Sequence, residues 1–196
     1  HELVEDIVAL MVQRYAVLVP GIVWSIREIL NAKSRKKILN QIYEQGKQAV
    51  MGNKKLKQGN NGSSGSSGRS AVASLELGMP TLERCVEEAL RLHPPAPALA
   101  PLTLLKNVRL GGYTVKAKSE IRIMPFMVQR SAKYWKNDTE LTFNEERWKY
   151  HARQSHIPFS HCAFGAGILK CASAESVRKG IQHFCWGLLN DFVMSV

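Results

Sequence analysis

The most informative part of the sequence is TLERCVEEALRLHPP, residues 81–95. Its apolar side chains recur at intervals of three and four residues, at Leu82, Cys85, Val86, Ala89 and Leu90. This spacing predicts a helix with one buried face. Pro94 and Pro95 predict where the helix ends, because proline has no backbone N–H. Glu88 and Arg91 lie three residues apart, so both side chains project from the same side of the helix.

The segments after this helix predict a mainly α-helical protein with a small antiparallel β-sheet. Two short runs, Val108–Leu110 and Tyr113–Val115, flank a turn at Gly111–Gly112. An alternating segment with Ile121 and Ile123 follows, and together these segments predict the sheet. A last helix is predicted to start near Ser173. The apolar residues expected on its buried face are Val177, Ile181, Phe184 and Leu188.

The first part of the chain predicts two amphipathic helices that meet at Pro20. Apolar residues recur at helical spacing before it at Leu3, Ile7, Leu10 and Met11, and after it at Ile22, Ile26, Leu30, Ile38, Ile42 and Tyr43. Between Lys33 and Lys57, eight cations face only Glu44, so this stretch is the most one-sided in charge. Both a solvated helix face and a surface for anionic partners account for this charge.

The composition indicates an intracellular globular protein. The 196 residues are 45% hydrophobic, enough for a buried core, and the formal net charge of +11 attracts nucleic acid, acidic proteins or an anionic membrane surface. The cysteines, Cys85, Cys162, Cys171 and Cys185, have no paired spacing. A disulfide-dense secreted scaffold is therefore excluded, and at least one thiol becomes a candidate ligand or nucleophile.

The strongest boundary lies at residues 59–70, where glycine and serine replace all apolar residues and predict a flexible linker. Within it, Gly62–Gly68 is GSSGSSG, a pattern typical of laboratory linkers. We expect a basic helical block at 1–58, the linker at 59–70 and a second domain at 71–196. The apolar run Tyr15–Trp24 is about half of the ~20 residues that cross a bilayer, so no transmembrane helix is predicted.

Three motifs follow one another after the linker. They are Glu88-Ala-Leu-Arg91, Phe143-Asn-Glu-Glu-Arg147-Trp148 and Phe164-Gly165-Ala-Gly167-Ile-Leu-Lys-Cys171. Their order resembles the cytochrome P-450 superfamily of heme-thiolate monooxygenases, and the resemblance extends over roughly residues 81–189. It implies a cytochrome P-450-like fold that is incomplete, with the heme-binding part present.

By this resemblance, Glu88, Arg91 and Arg147 form a buried salt-bridge triad with a structural role. A buried carboxylate shared by two guanidinium groups is tolerable only when every charge is paired, and loss of one partner is expected to cost roughly 3 to 5 kcal/mol. Trp135 and Trp148 are expected to pack in the same meander region.

The resemblance makes Cys171 the axial, catalytic ligand to the iron of heme b, iron protoporphyrin IX. The thiolate is the ligating form, and unpaired backbone N–H groups at the start of the following helix stabilise it. Gly165 and Gly167 suit a tight loop whose amides approach the sulfur, and Phe164 is expected to pack beside the porphyrin. These four residues are the predicted cofactor-binding residues.

The activity that the resemblance implies is insertion of one oxygen atom from dioxygen into an apolar organic substrate. Electrons would come from NAD(P)H through an acidic flavoprotein or iron–sulfur protein, which would dock on a basic face formed by Lys170, Arg178 and Lys179. The first block resembles the family's segment between the F and G helices, which often contacts membranes. We therefore expect an intracellular protein located at the cytoplasmic face of a membrane.

The sequence departs from the family pattern at several positions. The heme-propionate arginines fall on Leu102 and Leu169, and the glycine after the cysteine falls on Ser173. The loss of two cations leaves the propionates less well compensated. Glu145 replaces the usual proline, and no segment matches the family's long distal helix. These departures favour an alternative, a heme-free, non-catalytic remnant or engineered fragment of the fold that acts as a binding or scaffold protein.

Two other kinds of site are less well supported. A zinc site could be drawn from His156, His161, Cys162 and Cys171, but the adjacent His161 and Cys162 lack the short paired spacing of structural zinc ligands. Nucleic-acid binding is not expected, because only the charge favours it and the basic residues are not interleaved with aromatic platforms. His93 is expected to be a capping or surface residue.

Overall fold

The computed structural model describes residues 2–58, 78–135, 140–149, 156–167 and 170–193. The predicted linker at 59–70 lies outside these residues, as does Leu169. The division of the chain into 1–58, a linker and 71–196 therefore remains a prediction.

The described residues form a mainly helical protein with two small antiparallel sheets, which confirms the predicted fold class. The long helices are α1 (Glu2–Asn31), α2 (Arg35–Gln58), α3 (Pro80–Leu92) and α5 (Ala174–Phe192), the short helix α4 is Pro125–Val128, and a 3₁₀ helix is Glu145–Trp148. The strands are β1 (Leu102–Thr103), β2 (Val108–Leu110), β3 (Tyr113–Val115) and β4 (Glu120–Ile121).

Helix α3 forms where the apolar stripe predicted it, and all five residues of that stripe are buried. Pro80 occupies the start of the helix, where its missing N–H has no partner to lose. His93 is the C-terminal cap, and its N–H donates to the Ala89 carbonyl at 2.7 Å. The two prolines that follow cannot extend the helix.

The sheets differ in pairing from the prediction. Strands β2 and β3 form the expected hairpin, whose turn at Gly111 and Gly112 has φ angles of +55° and +88°, a conformation that suits glycine. The predicted third strand does not join this hairpin. Instead, Ile121 of β4 pairs with Leu102 of β1 in a separate sheet.

The core is shared by helices from both ends of the chain. Helix α1 packs on α3 and α5, and α2 packs on α1 and α3. The buried side chains come from all four helices and include Ile29, Ile38, Ile42, Leu82, Val86, Leu90, Ile181 and Leu189. The basic block and the predicted heme-binding part are therefore in contact through one hydrophobic core.

The predicted helix break at Pro20 is wrong, because α1 continues through it. A proline inside a helix removes one backbone hydrogen bond, but packing outweighs that loss here. Gly21 is buried and lies so close to Ile181 of α5 that a Cβ at this position would overlap the isoleucine side chain. The Ser25 hydroxyl donates to the Gly21 carbonyl at 2.6 Å. Tertiary contact with α5 thus holds the helix together at this point.

The buried face of α5 also differs from the prediction. Val177 and Ile181 are buried as expected, but Phe184 and Leu188 are 56% and 39% exposed. The stripe continues instead through Cys185 and Leu189, both fully buried. A four-residue step fits the face that α5 presents to α1, because successive fourth residues lie on one side of a helix.

No helix within the described ranges is both long enough and apolar enough to cross a membrane.

Candidate functional site

A buried carboxylate lies at the centre of the second half of the protein. Glu88 of α3 has no exposed surface, and its Oε2 accepts from Arg91 Nε at 2.8 Å and from Trp148 Nε1 at 2.9 Å. Its Oε1 accepts from Arg91 Nη2 at 2.9 Å, from the Asn144 backbone N–H at 3.1 Å and from Arg147 Nε at 3.3 Å. The structure thus brings together the three residues of the predicted triad, with two additional donors. We call these five residues the Glu88 cluster.

Arg91 is fully buried, and all three of its guanidinium nitrogens donate hydrogen bonds. Its Nη1 donates to the backbone carbonyls of Gln129 and Glu140, both at 2.7 Å. Its guanidinium carbon lies 4.9 Å from the centroid of the Trp135 ring. A guanidinium with a carboxylate on one side and carbonyls on the other keeps its hydrogen bonds after leaving water, so the buried charge is tolerated.

The 3₁₀ helix places two of its side chains in contact with Glu88. It starts at Asn144, whose side-chain oxygen accepts from the Glu146 N–H at 3.1 Å and so caps the short helix. Arg147 and Trp148 then reach the carboxylate from the same turn. Trp148 and Trp135 are buried with ring centroids 6.1 Å apart, which agrees with the expected meander packing.

The loop Phe164–Cys171, which we call the cysteine loop, is closed by backbone hydrogen bonds. The Cys171 N–H donates to the Phe164 carbonyl at 2.8 Å, and the Gly165 N–H donates to the Cys162 carbonyl at 2.9 Å. Gly165 and Gly167 have φ angles of +73° and +59°, which other residues adopt only with strain. At Gly167 an added Cβ would meet nothing within 4 Å, so backbone conformation, and not space, is the reason for glycine there.

Cys171 differs from the other three cysteines because it is exposed. Its carbonyl accepts from the Ala174 N–H at 3.2 Å, so the residue lies directly before the first turn of α5. Its sulfur lies 3.3 Å from the Ser173 hydroxyl. Burial raises the pKa of the thiols of Cys85 and Cys162, and it raises the pKa of Cys185 to about 12. Those three remain protonated in the neutral range, and Cys171 is the solvent-accessible thiol.

The surface beside the cysteine loop has mixed charge. Phe164 is buried, and the Arg178 guanidinium lies 4.6 Å from the centroid of its ring. Arg178 Nε also lies 2.7 Å from Glu87 Oε1, and Lys179 Nζ lies 3.9 Å from Glu175 Oε1. Two of the three cations predicted to form a basic face are therefore paired with carboxylates on the same surface.

Sequence reasoning missed Gln129, which has no exposed surface. Its side chain contacts the backbone of α3 and of the segment before the cysteine loop. The resemblance covered the neighbouring Arg130–Trp135 stretch, but a single glutamine in an irregular segment has no periodicity that would single it out. The roles of Asn144 and the Trp148 indole were missed for the same reason.

The family of the chain follows from comparison with known proteins. The family model described as Cytochrome P450 matches residues 73–173, just over half of the chain. The chain belongs to the cytochrome P450 family. The motif residues of the Glu88 cluster lie inside the matched range, and so does the cysteine loop.

Curated cytochrome P450 relatives align over the same part of the chain. Amorpha-4,11-diene 12-monooxygenase of Artemisia annua is 31% identical over 117 residues, covering 56% of this chain and 23% of the relative. Phenylacetaldehyde oxime monooxygenase of Prunus mume is 39% identical over 116 residues, covering 53% of this chain and 21% of the relative. The chain thus spans about a quarter of the length of the curated relatives that it matches. Such relatives indicate a monooxygenase fold.

Solved structures agree on the fold. The heme domain of a cytochrome P450DA mutant superposes with a TM-score of 0.68 at 16% identity, covering 89% of this chain and 35% of that one. A second cytochrome P450 structure gives a TM-score of 0.66 at 16% identity, with 88% of this chain and 35% of that one covered. This likeness extends beyond the residues that the family model matches.

The residues present suit the heme that the family implies. The accessible thiol follows a loop closed by its own backbone, and α5 begins three residues after it, so Cys171 lies at the N-terminal end of a long helix. A cysteine thiolate is one of the ligands by which proteins hold heme iron. Leu102, which the resemblance aligns with a propionate arginine, is 38% exposed and supplies no cation.

Proposed function

We propose that this chain is the heme-binding part of a heme-thiolate monooxygenase that inserts one oxygen atom from dioxygen into an apolar organic substrate. The main supporting observation is the position of Cys171, an exposed thiol at the end of a glycine loop and directly before a long helix. When bound, the heme would supply the iron at which dioxygen is activated, and electron donation from a thiolate favours O–O cleavage.

The chain's own residues would divide the work. Cys171 would present its thiolate as the iron ligand, and the backbone N–H groups at the start of α5 would stabilise the negative charge. Gly165 and Gly167 would hold the loop in its turn, and Phe164 would limit water beside the sulfur. Glu88, Arg91 and Arg147 would keep the meander segment in place and contact no substrate.

Electrons would reach the site from NAD(P)H through a flavoprotein or an iron–sulfur protein. A surface concavity of about 680 Å³ lies beside the cysteine loop, and its lining includes Phe164, Lys170, Arg178, Glu83 and Glu87. The acidic side chains of a partner would pair chiefly with Lys170, because Arg178 is already paired with Glu87. Mixed charge at such a rim would set the orientation of the partner more than its affinity.

We also propose contact with the cytoplasmic face of a membrane by the first block. Lys33 in the turn between α1 and α2 and Arg35, Lys36 and Lys37 in the first turn of α2 are exposed. On α1, Val19 and Val23 are 50% and 56% exposed. Binding to anionic vesicles should weaken as salt screens the cations. Absence of binding, or binding that does not respond to salt, would count against this location.

A second candidate function is a heme-free scaffold or binding protein, and Leu102 favours it. At that position the family places a propionate arginine, whereas here an apolar side chain is exposed. A heme propionate without a cation beside it is less well compensated, which lowers the affinity of the chain for heme. Heme affinity is therefore the property on which the two candidates differ.

The experiment that separates them is a hemin titration followed by reduction and addition of carbon monoxide. The unmodified chain, Cys171→Ala and the control Cys185→Ala, which removes a buried thiol, are compared. A strongly red-shifted Soret band in the chain and in the control, but not in Cys171→Ala, would support the monooxygenase proposal. If hemin does not bind, or if all three proteins give the same spectrum, the scaffold proposal is favoured.

A further inference from the structure

Gln129, just after α4, is a buried glutamine that connects two distant segments. Its Nε2 donates to the Leu90 carbonyl at 3.1 Å and to the Arg91 carbonyl at 3.0 Å. Its Oε1 accepts from the Cys162 N–H at 2.7 Å. The same residue's backbone carbonyl accepts from Arg91 Nη1 at 2.7 Å. One side chain therefore contacts both the end of α3 and the segment that leads into the cysteine loop.

The two carbonyls on Gln129 are those that the sequence leaves without a helical partner. In a continuing helix, the Leu90 carbonyl would accept from residue 94 and the Arg91 carbonyl from residue 95. Both of these residues are prolines and have no N–H to donate. The Gln129 amide thus replaces, with one NH₂ group, the two donors that Pro94 and Pro95 lack.

The other end of the side chain determines where the cysteine loop begins. The Cys162 N–H is buried and has Gln129 as its acceptor, while the Cys162 carbonyl accepts from Gly165 at 2.9 Å. Two residues later, the Phe164 carbonyl accepts from the Cys171 N–H at 2.8 Å. Three hydrogen bonds, joined by the Gln129 side chain and by residues 162–164, therefore lead from the end of α3 to the residue that holds the thiol.

We propose that Gln129 is a positioning residue, which fixes the cysteine loop to the C-terminal end of α3 and so sets the position of the Cys171 thiol. This inference rests on the ligand role proposed above for Cys171. Gln129 touches neither the thiol nor a substrate. It acts through the Cys162 peptide, whose N–H would otherwise be buried without an acceptor.

The first test uses the heme-free chain and does not depend on the ligand role. The rates of amide hydrogen exchange are measured at Cys162, Gly165 and Cys171. Each rate is divided by the rate for amides inside α3, which gives an exchange ratio. Gln129→Leu, which has similar volume but no amide, should raise this ratio by about tenfold or more, because the buried Cys162 N–H loses its acceptor. An unchanged ratio would overturn the proposal.

Gln45→Leu is the matched control. Gln45 Nε2 donates to Thr81 Oγ1 at 2.9 Å and its Oε1 accepts from the Thr81 N–H at 3.1 Å, so it ties α2 to the other end of α3 in the same way. This variant should lower overall stability without raising the exchange ratio at the cysteine loop. If both variants raise the ratio equally, Gln129 has only a general structural role.

A conservative variant gives a pH signature that a structural role alone would not produce. In Gln129→Glu, a protonated carboxyl group can still donate to one carbonyl and accept from the Cys162 N–H. Once ionised, it has no proton to donate to the Leu90 and Arg91 carbonyls, and the carboxylate oxygen that faces them repels them, so the contact with α3 is lost. The exchange ratio should therefore approach that of the unmodified chain at low pH and that of Gln129→Leu at high pH. A ratio independent of pH would contradict the proposal.

The second test uses the hemin-loaded chain and separates the two proposals. If the unmodified chain shows the red-shifted carbon monoxide band, Gln129→Leu should lose at least half of it, while Gln45→Leu should keep it. Equal bands in all three would overturn the positioning role. If the unmodified chain shows no such band, the ligand proposal fails, and hydrogen exchange alone decides whether Gln129 anchors the loop.

Discussion

The Glu88 cluster and the cysteine loop differ in almost every physical respect. Glu88 is fully buried and accepts five hydrogen bonds from four residues. Cys171 is exposed, and its sulfur lies 3.3 Å from the Ser173 hydroxyl at the start of α5. The heavily hydrogen-bonded Glu88 is expected to stabilise the fold, whereas Cys171, which is proposed to do chemistry, keeps its sulfur accessible. A supporting cluster can thus be rigid while the group it supports remains free to take a ligand.

The two regions should therefore respond oppositely to mutation. Substitution in the Glu88 cluster should reduce stability strongly and affect the thiol only through the fold. Substitution in the cysteine loop should leave stability nearly unchanged and remove the ligand. Each of the following predictions tests one side of this difference.

Glu88→Gln should have the largest effect on stability. It keeps the shape of the side chain but removes the negative charge, so Arg91 stays buried with no anion, and the free energy of unfolding should fall by roughly 3 to 5 kcal/mol. Urea denaturation measures this. Glu175→Gln is the control, because Glu175 is exposed and should contribute only about 0 to 1 kcal/mol. A loss below about 1 kcal/mol in Glu88→Gln would show that the cluster does not stabilise the fold.

Trp148→Phe should have the next largest effect. It removes the indole N–H that donates to Glu88 Oε2 and leaves that oxygen with Arg91 Nε as its donor, and a hydrogen bond to a charged group contributes about 1.5 to 3 kcal/mol. Trp135→Phe is matched in size, and its indole nitrogen has no hydrogen-bond partner among the residues that the structure describes. Thermal unfolding should rank Trp148→Phe as clearly the less stable of the two. Equal losses would mean that packing, and not the hydrogen bond, is what matters.

Cys171→Ala should change the stability of the heme-free chain by no more than about 0.5 kcal/mol, as expected for an exposed side chain. Cys185→Ala, which truncates a fully buried residue, should cost about 1 kcal/mol. Urea denaturation of both variants checks the order. A larger loss for Cys171→Ala than for Cys185→Ala would show that the exposed thiol has a structural role and would remove the contrast between the two regions.

The pair Glu28 and His93 is partly buried, between the buried Glu88 and the exposed Cys171. It should have the smallest effect on stability. Nε2 of His93 is 3.0 Å from Glu28 Oε1, and its ring stacks on Trp24 at 3.8 Å. Burial lowers the pKa of His93, against the opposing influence of Glu28, while Arg130 and Arg27 lower it further. The unfolded chain therefore binds the proton more readily, and stability should fall as pH drops below about 6.5.

Thermal unfolding between pH 7.5 and pH 5.5 measures that dependence. His93→Gln, which cannot titrate, should flatten the curve over this interval. A dependence that persists in His93→Gln would assign the proton to another group. Stability that rises on acidification would mean that the contact with Glu28 outweighs burial.

Sequence patterns predicted the regions whose structure is set locally. The stripe from Leu82 to Leu90 indicated α3, since a buried helical face repeats at intervals that a single segment contains. Gly165 and Gly167 indicated a tight loop, because glycine tolerates the φ angles found there. The motif order grouped Glu88, Arg91 and Arg147 across a long stretch of chain, and the structure brings the three side chains into contact.

The features that sequence reasoning missed depend on contacts between distant segments. Helix α1 passes through Pro20 because α5 packs against Gly21, which no local pattern reveals. The buried face of α5 includes Cys185 in place of Phe184 because α1 covers that side. Gln129 was missed because its importance arises from two prolines and one loop amide far away in sequence.

X-ray absorption at the iron edge of the hemin-loaded chain tests the central claim most directly. Ligation by the cysteine loop predicts one sulfur scatterer in the first shell of the iron, present in the unmodified chain and in Cys185→Ala but absent from Cys171→Ala. A first shell of nitrogen and oxygen alone in the unmodified chain would contradict the claim. A sulfur signal that persists in Cys171→Ala would equally contradict it.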